Sequence, residues 1–232
     1  MAARNSSGRK TSSSRRKQPA KRKVVVTAGP TREYVDPVRY ISNESSGTMG
    51  FAIARAAAER GDEVVLIAGP VHQETPEGVR RIDIHSAREL LAAVRTEFKD
   101  ADLLIMAAAV ADWRPKRKLA GKWRAKDGGN EETSIELVRN PDVLATVAKN
   151  KGERIVVAFA LETGDGERRA LAKLKRKNAD YVLLNDASAL GAQRSSATIL
   201  GVDGSRKELH DVPKRKIAQA LVKLERPVVE PA

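Results

Sequence analysis

Short apolar runs alternate with amphipathic segments along the chain from Val24 onward. Five runs are apolar almost throughout, near residues 24–28, 62–68, 102–107, 155–160 and 181–186. Strands of this kind are typical of a parallel sheet that is covered on both faces. Helical patterns lie between them, so the chain predicts a Rossmann-like α/β fold, with a mostly parallel sheet and helices on both faces.

Capping signals locate the starts of two of these helices. Ser86 and Glu89 have the spacing of a capping box, which predicts a helix that reaches about Phe98. Asn140 is a favoured N-cap, and Pro141 after it suits the first helical position. Further helices are predicted at about residues 51–61, 166–178 and 213–224.

Two segments predict antiparallel strands outside the parallel core. Residues 114–132 are charged, contain glycine and have little hydrophobic content, and the predicted short strands lie at 116–119, at Trp123 and at 135–138. This arm, at about residues 114–138, is long for a simple connection, and such loops often carry function. Asp203-Gly204 between two short apolar runs is a hairpin signal.

The segment 24–50 combines a strand, a long polar loop and a helix start rich in small residues, Ser45 to Gly50. Free backbone N–H groups and the helix dipole favour an anion at such a helix start. The loop is too long and has too few glycines for the dinucleotide fingerprint GxGxxG, and no GxxxxGK[ST] is present. The pattern therefore favours a phosphate-binding unit that is neither a typical dehydrogenase nor a P-loop protein.

Charge is distributed unevenly along the 232 residues. The net charge is +13, but residues 1–23 contain nine Lys or Arg and no Asp or Glu, which leaves +4 for 24–232. We therefore expect a disordered basic tail at 1–23, one domain at 24–232, and any nucleic-acid contact confined to the tail. The absence of cysteine excludes thiol chemistry and fits a cytoplasmic protein, and the apolar runs are too short for a membrane span.

Polar residues follow several of the predicted strands. Ligands of open parallel sheets bind beyond the carboxyl ends of the strands. Each residue alone is equally compatible with a cap or a turn, but together they indicate one site: Asn43, Asp112, Glu162, Thr163, Asn185 and Asp186. Lys173 and Lys177 share one helix face, which suits a polyphosphate, although a solvated basic surface remains the alternative.

The motif TAGPTREYVDPVRYISNESSGTMG at residues 27–50 closely resembles the phosphopantothenoylcysteine synthetase (phosphopantothenate–cysteine ligase) family. In many bacteria this family forms the C-terminal domain of a bifunctional coenzyme A biosynthesis flavoprotein. Matching motifs follow in order over about 24–224: AAVADW at 108–113, NPD at 140–142, FALET at 159–163 and ND at 185–186.

The resemblance implies an activity. Bacterial members use CTP and Mg²⁺ to convert 4′-phosphopantothenate into an acyl-cytidylate with release of pyrophosphate. The amine of L-cysteine then displaces CMP. Mg²⁺ would be carried mainly by the nucleotide phosphates, and the choice of CTP over ATP is open in the sequence.

The resemblance also implies roles for individual residues. Asn43 and Lys122 match catalytic positions, with Lys122 on the arm. Positions for the phosphopantothenate substrate are Arg39, Asn43, Ala108 and Ala109. Positions for the nucleotide are Gly29, Ser46, Gly47, Ala109, Asp112, Pro141, Asp142, Val143, Leu144, Phe159, Lys173 and Lys177.

The family resemblance further implies a homodimer in which the arm reaches the active site of the other subunit. A separate phosphopantothenoylcysteine decarboxylase is the expected partner in the pathway. Thr48 stands where the family commonly has Lys, and the arm reads Lys122-Trp123-Arg124-Ala125-Lys126 in place of a KIKK-like run. Both departures leave the roles of these positions open.

Two other functions are compatible with the residues. An NAD(P)-dependent oxidoreductase uses a similar sheet, although the missing GxGxxG opposes it. A nucleic-acid-binding protein would explain the sequence pI of about 10.1, although most of the excess charge lies in the tail.

Overall fold

In the computed structural model the described residues are 20–124, 133–162, 165–186 and 194–228. Eight strands in these ranges form one sheet in the order β12-β11-β10-β9-β6-β1-β4-β5. They are β1 Lys23–Ala28, β4 Glu63–Ala68, β5 Val79–Asp83, β6 Leu103–Met106, β9 Ile155–Glu162, β10 Tyr181–Asp186, β11 Arg194–Gly201 and β12 Arg206–Pro213. The first six are parallel, and the β11–β12 hairpin adds two antiparallel strands at one edge.

Helices cover both faces of the sheet, which confirms the predicted fold. Two hydrophobic clusters, one on each face, form the core. Helices α1 and α5 belong to the first cluster, whereas α2, α3 and α4 belong to the second. The helices are α1 Thr48–Glu59, α2 Ala87–Glu97, α3 Val143–Ala148, α4 Gly166–Arg176 and α5 Lys214–Leu221.

The strand order reverses at β1. The chain passes from β1 through α1 to β4 on one side and later returns to β6 on the other side of β1. The carboxyl ends of β1 and β6 therefore border the crevice in which open α/β sheets bind ligands. Gly50 lets α1 lie close to β1, because a Cβ at this position would be 2.5 Å from Ala28 Cβ.

Two small hairpins project from the carboxyl edge of the sheet. One pairs β2 Arg32–Tyr34 with β3 Tyr40–Ser42, inside the long loop after β1. The other pairs β7 Trp113–Pro115 with β8 Leu137–Arg139, which confirms an antiparallel excursion in the arm. The first strand of this excursion is 113–115 and not the predicted 116–119.

One predicted N-cap is wrong. Asp142, not Asn140, caps α3, since its Oδ1 accepts the backbone N–H of Ala145 at 3.0 Å. The Asn140 side chain instead donates to Ala111 O at 2.8 Å and so connects two loops. The capping box of α2 is confirmed in part: Ser86 accepts the N–H of Glu89 at 3.2 Å, while the Glu89 carboxylate accepts from His85 N.

The folded part begins earlier than the expected boundary at Val24. Lys23 is the first residue of β1, and the Arg22 guanidinium donates to Leu224 O at 2.9 Å, just after α5. The predicted tail lies mostly outside the described residues, as do residues 125–132 of the arm and the predicted site residue Thr163. None of the helices in the described part of the chain has the length and apolar character needed to span a bilayer.

Candidate functional site at the carboxyl edge of the sheet

A cavity of about 630 Å³ opens at the carboxyl ends of β6 and β9. Its wall contains eight of the twelve positions predicted to contact a nucleotide, together with the predicted substrate residue Ala108. The eight are Asp112, Pro141, Asp142, Val143, Leu144, Phe159, Lys173 and Lys177. Residues that are distant in sequence thus share one cavity, because their strands end side by side.

The two lysines of α4 reach different parts of this wall. Lys173 Nζ donates to the carbonyl of Phe159 at 2.5 Å, at the end of β9. Lys177 Nζ pairs with the carboxylate of Asp142, the N-cap of α3. Both ammonium groups therefore have a partner within the protein and lie at the cavity, as their common helix face predicted.

Asp142 remains ionised beside Lys177. Burial favours its neutral form, but the hydrogen bonds from Lys177 and from the Ala145 amide outweigh that effect, so the pKa of Asp142 is lowered from its ordinary value. The same carboxylate thus caps α3 and binds a lysine of α4. The geometry of the cavity wall therefore depends on both contacts of the Asp142 carboxylate.

The sequence interpretation missed several cavity residues. Trp113 and Arg139 are paired across β7 and β8, and the Arg139 guanidinium lies 5.4 Å from the centre of the Trp113 ring. Arg176, one turn beyond Lys173 on α4, also lines the cavity. Its i,i+3 spacing from Lys173 was a usable signal, whereas the Trp113–Arg139 pairing was not visible without the strand register.

Three further predicted nucleotide positions, Gly29, Ser46 and Gly47, lie outside this wall. Gly29 follows β1, and Ser46 and Gly47 directly precede α1. Gly29 and Gly47 both have φ of +74°, which glycine tolerates without strain. A Cβ on Gly47 would lie 3.3 Å from Gly29 N, so the two backbone segments approach closely. Ser46 Oγ lies 2.8 Å from Thr48 Oγ1. Gly47 is the N-cap of α1, and as a glycine it has no side chain that could cap the helix.

Asn43 connects this region with the cavity. Its Nδ2 donates to Val110 O at 3.1 Å, and Val110 lines the cavity. Ala108 N and Ala109 N donate to Thr27 Oγ1 at 3.1 Å and to Gly29 O at 2.9 Å. These two N–H groups therefore hold the loop after β6 against β1, and any ligand contact by Ala108 or Ala109 has to use other atoms.

Arg39 and Lys122 lie away from the cavity, on the β2–β3 hairpin and on the arm. Arg39 binds the buried carboxylate of Asp36 at 2.7 Å and Trp123 O at 2.5 Å. Lys122 is exposed beside Trp123. Arg39 thus contacts the backbone of the residue that follows Lys122, and neither Arg39 nor Lys122 lines the cavity.

No group of three or more His, Cys, Asp or Glu residues among the described residues is arranged to hold a metal ion. Mg²⁺ commonly binds through one or two carboxylates together with substrate phosphates and water. Asp112, exposed on the cavity wall, is a carboxylate of the required kind. Asp112 therefore fits a Mg²⁺ ion that is held mainly by phosphate groups.

Comparison with known proteins agrees with this architecture. A sequence profile of the DNA/pantothenate metabolism flavoprotein C-terminal domain matches residues 20–226. The coenzyme A biosynthesis bifunctional protein CoaBC of Vibrio cholerae is 49% identical over 171 residues, which are 73% of this chain and 43% of that protein. CoaBC of Bacillus subtilis is 41% identical over 200 residues, which are 84% of this chain and 48% of that protein.

Among solved structures, the C-terminal domain of a CoaBC superposes with a TM-score of 0.75 at 36% identity, covering 87% of this chain and 92% of that chain. A Cab2 mutant in complex with phosphopantothenate-cysteine has a TM-score of 0.71 at 16% identity, which indicates the fold alone. It covers 87% of this chain and 85% of that chain. The chain spans about half the length of the curated relatives that it matches.

Proposed function

The chain belongs to the DNA/pantothenate metabolism flavoprotein C-terminal domain family, and from this membership we propose that it is a CTP-dependent phosphopantothenate–cysteine ligase in coenzyme A biosynthesis. The observation that carries the proposal is the cavity at the end of β6 and β9, whose wall contains eight of the positions assigned to the nucleotide. The relatives at 49% and 41% identity are coenzyme A biosynthesis proteins, which supports the same pathway.

The proposed reaction has two steps. A carboxylate oxygen of 4′-phosphopantothenate attacks the α-phosphorus of CTP, and the bond to pyrophosphate breaks. The amine of L-cysteine then attacks the acyl carbon, CMP leaves, and the amine loses a proton. Both steps move negative charge, so positioned cations and hydrogen-bond donors would account for most of the catalysis.

Residues on the cavity wall suit the nucleotide part of this chemistry. Lys173, Arg176 and Lys177 place three cationic groups on the cavity wall, which suits the phosphates of a nucleotide. Asp112 fits a Mg²⁺ ion that is carried by the phosphates, and such an ion would neutralise charge at the reacting phosphate. Asn43 suits the substrate carboxylate, because a neutral amide can orient an anion without repelling it.

A homodimer is part of the proposal. Several apolar side chains near the two hairpins are exposed, among them Val38 at 58%, Trp113 at 45% and Leu119 at 42%. Such a patch suits a protein interface. A second copy docked there would also explain why Arg39 and Lys122 lie outside the cavity of their own chain: they would serve the cavity of the partner.

The test is pyrophosphate release in the presence of CTP, Mg²⁺, phosphopantothenate and cysteine, with ATP in a parallel reaction. We expect release that requires phosphopantothenate and is faster with CTP. Lys122→Gln should reduce turnover strongly while the circular dichroism spectrum stays unchanged. A folded protein that releases no pyrophosphate with either nucleotide would refute the ligase proposal.

A further inference from the structure

Asp36 connects two parts of the chain that are 87 residues apart. Its side chain has no solvent exposure, and each of its two carboxylate oxygens accepts two hydrogen bonds. Oδ1 accepts the backbone N–H groups of Val38 at 2.6 Å and Arg39 at 2.7 Å. Oδ2 accepts the Arg39 guanidinium at 2.7 Å and the backbone N–H of Trp123 at 3.0 Å.

The two oxygens have different tasks. Oδ1 completes a local turn between β2 and β3, in which an Asp commonly accepts N–H groups two and three residues ahead. Oδ2 makes the remote contacts: it holds the Arg39 side chain and the backbone of the arm at Trp123. An aspartate needed only for the turn would not require the two hydrogen bonds that Oδ2 accepts from Arg39 and Trp123.

Other contacts bring the arm to the same place. Leu119 N donates to Val35 O at 2.8 Å, and Lys118 Nζ lies 5.0 Å from the centre of the Tyr34 ring. Residues 118–123 thus lie along the β2–β3 hairpin. Asp36 is the buried charge in this contact, and a buried carboxylate is stable only while its hydrogen bonds are made.

We propose that Asp36 is a positioning residue, which holds the Lys122 segment against Arg39 so that both side chains are presented to the substrate as one unit. This inference rests on the proposed function for the roles of Arg39 and Lys122. Lys122 immediately precedes Trp123, so fixing the Trp123 amide limits where the Lys122 ammonium can reach. A small error in placement can cost a large factor in rate.

Asp36→Asn tests the proposal with almost no change of shape. An amide that keeps its oxygen at the Oδ1 position preserves the local turn, but it places NH₂ against two other donors, the Trp123 N–H and the Arg39 guanidinium. We expect amide hydrogen exchange of Trp123 to accelerate by about tenfold or more, since hydrogen bonds to charged groups are among the stronger ones. We expect kcat for pyrophosphate release to fall by about 10- to 100-fold. KM for CTP should stay within about twofold, since the cavity residues lie on other elements.

The matched control is Asp83→Asn. Asp83 also pairs with an arginine, Arg81, at 2.7 Å, but at the exposed end of β5. This variant should leave kcat and the exchange of Trp123 unchanged. The proposal is overturned if Asp36→Asn leaves Trp123 exchange at the wild-type rate, or if exchange accelerates while kcat is unchanged. If the wild-type protein releases no pyrophosphate, the proposed function fails, and the exchange result alone decides whether Asp36 holds the arm.

Discussion

Gly50→Ala tests whether the close approach of α1 to β1 supports the fold. A Cβ at position 50 would lie 2.5 Å from Ala28 Cβ, 2.9 Å from Thr27 O and 3.0 Å from Ala28 Cα. Two of these three neighbours are backbone atoms, which cannot move aside as a side chain can. The helix therefore has to shift away from the strand by roughly 1 Å to regain ordinary contact distances.

The expected loss of stability follows from two opposed terms. Overpacking of a core costs about 1–3 kcal/mol, and a clash with backbone belongs at the upper end of that range. Replacing glycine by alanine inside a helix recovers about 1 kcal/mol. The net destabilisation is therefore about 2 kcal/mol, which corresponds to a decrease in Tm of about 4–8 °C for a domain of this size.

Urea unfolding followed by far-UV circular dichroism measures this change. We expect a lower midpoint with an unchanged m-value, because the surface exposed on unfolding is nearly the same. The double variant Ala28→Gly with Gly50→Ala removes the 2.5 Å contact, so the cost of Gly50→Ala should be smaller in that background. A Gly50→Ala protein as stable as the wild type would refute the argument that this contact limits the approach of α1.

Three further predictions concern the site and the tail. Asp142→Ala removes both the cap of α3 and the partner of Lys177, so we expect about 1 kcal/mol of destabilisation in thermal unfolding, whereas Asp142→Asn, which can still cap, should lose less. Burial opposes ionisation of Asp36, but hydrogen bonds from Val38, Trp123 and Arg39 lower its pKa from 3.8 to about 2. A carboxyl group whose pKa is lower in the folded than in the unfolded protein stabilises the fold at pH values above the unfolded pKa. Protection of the Trp123 amide from exchange should therefore persist above pH 4 and be lost as the pH falls towards 2. Loss that is complete at pH 5 would contradict this assignment. Deleting residues 1–19 should abolish salt-sensitive binding of the protein to heparin without lowering Tm, whereas binding retained by the truncated protein would place the polyanion contact on the folded domain.

Most of the sheet could be predicted from the sequence, because its five central parallel strands are apolar runs that are buried on both faces. The sixth parallel strand, Val79–Asp83, was missed: it reads VRRID and is only partly buried at the sheet edge. The short β2–β3 hairpin was missed as well, since its strands have three residues each and no apolar alternation.

For the site, the family resemblance implied twelve nucleotide positions, and eight of them line one cavity. Of the six polar residues that were predicted as a site because they follow strands, Asp112 lies in that wall. The sequence by itself determined that Lys173 and Lys177 share a face, since helical spacing is local. Only the tertiary structure decided that the Asn140 side chain binds Ala111 O and leaves the cap of α3 to Asp142, that Arg139 stacks on Trp113, and that Asp36 contacts the arm. Each of these depends on contacts between segments far apart in sequence, and a local pattern contains no information on which remote group a buried oxygen or an exposed ring will meet.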